Sequence, residues 1–103
     1  MRLIDEAIAI DNKSADLYYY KSLINISLNN YKAAAVNLHE CLNLDKNYTT
    51  AYFYLAAAYD NINDKESALV YYKKFIELAN KNEIGESEKI EYAKNRMTKI
   101  ENL

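Results

Sequence analysis

The chain has 103 residues, half of them apolar and 27% charged, with a formal net charge of −2. That length holds one small domain, and the composition is globular rather than disordered. The slight acidity argues against nucleic acid, whose binding depends on Lys and Arg neutralising phosphates.

One glycine and no proline leave helices uninterrupted, and the single Cys41 excludes an intrachain disulfide. No apolar run approaches the ~18 residues that a membrane span needs. The opening Met1-Arg2-Leu3-Ile4-Asp5-Glu6 is not a signal peptide, so the expected compartment is cytoplasmic.

In chain order, Leu3, Ile4, Ala7, Ile8 and Ile10 form a short helix that fades at Asp11-Asn12-Lys13. Ser14 caps the next, because its hydroxyl can accept a free amide hydrogen of the first turn. From about Asp16 to Leu28, the residues Leu17, Tyr20, Leu23, Ile24, Ile26 and Leu28 make a broad apolar band. Asn29-Asn30 ends it, since Asn tolerates a left-handed backbone, and Asn30 is placed to cap the following helix. Tyr31 to Leu44 carries Ala34, Ala35, Leu38, Cys41 and Leu42 on one side, and Asp45 to Tyr48 is a loop. Thr49 or Thr50 caps a helix to about Ile62, and Asn63-Asp64 repeats the Asn29-Asn30 punctuation. Lys65 to about Asn80 carries Ala68, Leu69, Tyr72, Phe75, Ile76 and Leu78. After a break from Asn80 to Gly85, a last helix begins near Glu86 or Ser87 and runs towards Leu103. Its apolar Ile90, Ala93, Met97 and Ile100 form a narrow stripe, and Glu88, Lys89, Glu91, Lys94, Arg96, Lys99 and Glu101 keep the far side wet.

These elements recur every 34 residues. Ala7, Cys41 and Phe75 share one register, as do Ile8, Leu42 and Ile76, and Ile10, Leu44 and Leu78. Tyr18 pairs with Tyr52, Tyr20 with Tyr54, and Ala34 with Ala68. Such a period marks a solenoid, in which each unit buries its apolar face only by stacking on the next. A polar-backed end helix is what such a stack needs.

The chain resembles the tetratricopeptide repeat family, whose 34-residue unit is a helix–turn–helix. Tyr18 and Tyr52 stand at the large aromatic position, Ser22 and Ala56 at the small position four residues on, and Ala34 and Ala68 at the Ala where the helices cross most closely. Tyr31 and Leu38, then Lys65 and Tyr72, fill the next two positions. The resemblance implies an all-α, right-handed solenoid of about six helices in one domain over residues 1–103. Residues 2–14 are the second helix of a partial repeat, 15–48 and 49–82 are full repeats, and 86–103 are a capping helix. The opening half unit is expected of a piece of a longer array. Three departures stand out. Pro is missing from the inter-unit turns at Asn12, Lys46 and Asn80; Phe75 is large where Ala or Cys is usual; and Asn25 replaces an aromatic or Leu. A buried Asn25 amide needs partners, because an unsatisfied one costs about 1–3 kcal/mol.

No residue set carries catalysis. His39 and Cys41 lie two apart on one helix, where side chains diverge, so they read as an outward His and a core Cys. Asp60-Asn61-Ile62-Asn63-Asp64 has the outline of a calcium loop. It has Ile at the third position, no Gly, and Tyr71 where the closing Glu belongs, so it reads as a helix end with an Asp64 cap. There is no Gly-rich phosphate loop and no Ser–His–Asp set, and no catalytic residue, metal or cofactor is expected.

The eleven tyrosines carry the functional reading. By the family pattern the first helices line a concave groove, to which Asp16, Tyr19, Tyr20, Leu23, Ile26 and Ser27 contribute from one unit. Thr50, Phe53, Tyr54, Ala57, Asp60 and Asn61 contribute from the other. Tyr18, Tyr52, Tyr59 and Tyr72 are assigned to the core, whereas Tyr19 and Phe53 sit one residue past it and are free to meet a partner. Tyrosine supplies large contact area at little entropic cost. The partner-binding set is therefore Tyr19, Tyr20, Leu23, Ile26, Phe53, Tyr54, Ala57 and Asp60. Co-chaperone members of the family hold a terminal carboxylate with Lys, Asn and Arg. Tyr19, Leu23, Phe53 and Ala57 stand there instead, with Asp16 and Asp60 nearby, so an apolar segment fits better. A protein or peptide partner is expected. The alternative is a second copy covering Leu3, Ile4 and Ile8 of the open first helix.

Overall fold

The computed structural model describes residues 14–81 and 87–103, which form five α-helices. They are α1 (Ala15–Ser27), α2 (Tyr31–Leu44), α3 (Thr49–Asn61), α4 (Lys65–Lys81) and α5 (Ser87–Glu101). Each packs on the next, α1 on α2, α2 on α3, α3 on α4 and α4 on α5, and α1 also meets α3. The sixth expected helix, and with it Leu3, Ile4 and Ile8, lies outside the described residues.

The local code explains the hairpins. Ser14 Oγ accepts from Leu17 N at 3.4 Å and starts α1. Asn29 and Asn63 both take positive φ, 60° and 65°. They end α1 and α3 alike: Asn30 N donates to Asn25 O at 2.8 Å, and Asp64 N to Tyr59 O at 2.9 Å. This left-handed stop satisfies carbonyls that the helix end would strand. Asp64 also caps α4, its Oδ1 accepting from Ser67 N at 3.2 Å. Two expected caps differ. Asn30 holds the cap position of α2 but makes no side-chain cap bond, and Tyr48, not a threonine, precedes α3. Thr49 is already helical and donates to Asn47 O at 3.3 Å, while an Asp45 side chain accepting from Asn47 N shapes the turn.

The core runs along the stack in two joined clusters. One gathers Leu38, Cys41, Leu42, Ala51, Leu55 and Ala58 between α2 and α3. The other gathers Phe53, Ala56, Ala68, Tyr72, Phe75, Ala79, Ala93 and Ile100 beneath α5. Ala34 and Ala68 are both 0% exposed, as the close helix crossing requires. Phe75 is fully buried as well, and α5 meets that bulk with Ala93. Asn25 is 2% exposed and satisfied: Asn37 Nδ2 donates to its Oδ1 at 2.8 Å. Cys41 is buried, and burial, with the charges of Asp45 and Asp16 behind it, pushes its thiol up to about 12.

Candidate functional site

The first helices of the two units supply one continuous row of rings. Tyr20 meets Tyr19 at 5.8 Å between centroids, Tyr19 meets Tyr54 at 6.0 Å, Tyr54 meets Phe53 at 5.2 Å, and Phe53 meets Tyr92 of α5 at 5.7 Å. All four are edge-to-face pairs, the geometry that ring quadrupoles prefer. The period explains the row: Tyr20 and Tyr54 occupy the same place in successive units, and stacking the units brings α1 against α3. The ends of the row are open, with Tyr20 52% and Tyr92 48% exposed. Tyr19, Leu23, Ile26, Tyr54 and Ala57 are half-buried along the same helices.

Two residues of the expected set are occupied inside the molecule. Phe53 is 9% exposed and sits among Tyr54, Tyr72, Phe75 and Tyr92, so it is core rather than a spare aromatic. The reason is α5, which closes over the position that two units alone would leave open. Asp60 is 7% exposed and is held by donors on α4 and α5. Arg96 binds it with two nitrogens, Nε to Oδ2 at 2.7 Å and Nη2 to Oδ1 at 2.8 Å. Lys65 Nζ donates to Oδ1 and to the Asp60 carbonyl, and Tyr72 OH donates to Oδ2 at 3.2 Å. Burial alone would raise this carboxyl. The bonds from Arg96 and Lys65 outweigh burial and hold it below its ordinary range. Arg96 therefore does not belong to the wet face of α5, and Asp60 meets two cations rather than repelling a partner.

Tyr19 has a second neighbour that the repeat pattern did not signal. Tyr48, in the loop before α3, tilts over it at 4.7 Å and donates to Asp16 Oδ1 at 2.6 Å. Burial, then that bond, raises the Tyr48 hydroxyl above its usual value. Asp16 itself stays exposed. Tyr92 and Arg96 lie one turn apart on α5; that i, i+4 spacing was the available hint that they share the side reaching Phe53 and Asp60 of α3.

A second ring cluster gathers about His39. His39 Nε2 lies 2.9 Å from Tyr59 OH, and its ring also meets Tyr71 at 6.0 Å. Tyr71 stacks on Tyr59 at 5.6 Å. His39 is thus tied to α3 and α4 rather than simply outward. No group of metal-ligating residues is found among the described residues, and none of the described helices is long and apolar enough to cross a membrane.

No protein-family model matches the chain, and no curated protein does. Solved structures do. The chain is similar to a tetratricopeptide repeat domain protein from Salinibacter ruber, with 21% identity, a TM-score of 0.72, and 87% of this chain and 98% of that one covered. It is similar also to MamA, with 19% identity, a TM-score of 0.70, and 97% and 68% covered. At these identities the likeness shows the fold.

Proposed function

We propose that this tetratricopeptide-repeat fold serves as a non-catalytic protein-interaction module, binding an apolar or aromatic-compatible segment along the face of α1 and α3. The observation that carries the reading is the ring row with open ends: Tyr20 and Tyr54 recur at one position of successive units and are joined through Tyr19. Leu23, Ile26 and Ala57 extend the half-buried apolar surface beside them. Apolar side chains of a partner would cover these rings, and tyrosine edges would accept them at low entropic cost. Phe53 supports the row from below rather than meeting the partner.

Peptides selected on the wild-type protein from a displayed random library test the idea. Tyr20→Ala with Tyr54→Ala should weaken their binding by about 2 kcal/mol or more, as for interface anchors, while the helical signal remains. Phe53→Ala, by contrast, should lower stability first. Binding retained in the Tyr20/Tyr54 variant, or a selection with no apolar preference, overturns the proposal.

A further inference from the structure

The outer face of the second helices carries a charge pattern that inverts from one unit to the next. On α2 the stripe reads Lys32, Val36, Glu40; on α4, 34 residues later, it reads Glu66, Val70, Lys74. Each stripe follows i, i+4, i+8, so it lies on one side of its helix. All six residues are exposed, and the valines are unusually so, Val36 at 63% and Val70 at 62%. Valine on an open helix face satisfies no folding need, since the core lies on the other side. The opposite charges do not satisfy each other within the chain. None of the four charged residues makes an ion pair among the described residues, and where α2 and α4 touch it is through rings, His39 against Tyr71. Beside Val70 lies an open hollow of about 410 Å³, lined by Tyr52, Leu69, Tyr71, Lys73 and Lys74.

We infer that this face is an interface with a second copy of the chain, in which α2 of one protomer lies along α4 of its partner and the reverse contact closes the pair. Short connections make successive helices antiparallel, so α2 and α4 run in the same sense. A two-fold axis parallel to them, standing outside this face over the midline between them, lays each against the partner's other helix in matching register. Lys32 then faces Glu66 of the partner subunit, Glu40 faces Lys74 of the partner subunit, and Val36 meets Val70 of the partner subunit beside the hollow. Symmetry makes each contact twice, which gives a closed, isologous pair. Fully matched charges around a small apolar centre set register and orientation more than strength, so the association is weak. The stripes and the hollow share no residue with the ring row, so the interface is independent of the proposed peptide site.

Charge reversal tests the geometry. One variant reverses α2, Lys32→Glu with Glu40→Lys; another reverses α4, Glu66→Lys with Lys74→Glu. Sedimentation equilibrium up to roughly millimolar protein should show a wild-type dimer and, for each variant alone, a dissociation constant at least roughly tenfold higher. An equimolar mixture of the two variants should restore association, because each reversed stripe then faces its complement. A wild type that stays monomeric throughout the range overturns the inference. So does a dimer indifferent to the reversals, or a mixture no tighter than its components.

Discussion

Replacing Asp60 by Asn removes one charge from the point where α3, α4 and α5 meet. In the native protein that carboxylate takes both nitrogens of Arg96 at 2.7 and 2.8 Å, the Lys65 ammonium, and the Tyr72 hydroxyl at 3.2 Å. An amide nitrogen in the same place would point a donor at donors. Severing a fully buried ion pair costs about 3–5 kcal/mol. Here the loss is smaller, because the Lys65 and Arg96 side chains are 29% and 28% exposed and regain water. Tyr72 is 0% exposed and does not. The expected cost is about 2 kcal/mol, in the range of charged hydrogen bonds, which for a domain of this size lowers Tm by roughly 8–16 °C. The pH dependence has a definite sign. The folded carboxyl lies below its ordinary value of 3.8, so its contribution is complete above that value and is lost as pH falls through the lower, folded one. Thermal melts followed by circular dichroism from pH 7 to pH 2 should therefore show a gap between wild type and Asp60→Asn that is constant near neutrality and closes in acid. Amide exchange should speed up first in α5. A variant as stable as wild type at pH 7, or a gap that does not shrink in acid, would refute a stabilising role for the Asp60 ion pairs.

Two further outcomes follow from burial. Ala34→Leu or Ala68→Leu forces extra carbons into a helix crossing where both alanines are 0% exposed. Each should cost about 1–3 kcal/mol in urea unfolding, and a neutral result would mean that the crossing has slack. Cys41 is buried with its thiol held up at about 12, so it should stay silent to a thiol-reactive dye at pH 8 and react at once when urea unfolds the chain. Rapid labelling of the folded protein would show that the α2–α3 core opens locally.

The 34-residue period, the helix boundaries and the small-residue crossings were legible because they are local or periodic. Asn29 and Asn63 stop helices through their own backbone preference, at φ 60° and 65°. Ser14 and Asp64 cap through amides three residues on, and Ala34 and Ala68 follow from repeat register. Tyr20 and Tyr54 were found on one face by the same arithmetic. Asp60 with Arg96, Tyr48 with Asp16, and His39 with Tyr59 were not: they join residues 36, 32 and 20 positions apart, steps that match no helical or repeat period. Phe53 shows the difference best. Its repeat position marked it for the groove, but α5 closes over that position and makes it core. Sequence periodicity determines which residues share a helix face, because side-chain direction is set by the backbone turn. Which of those faces is then covered depends on how the end helix docks, and only the packed structure decides that.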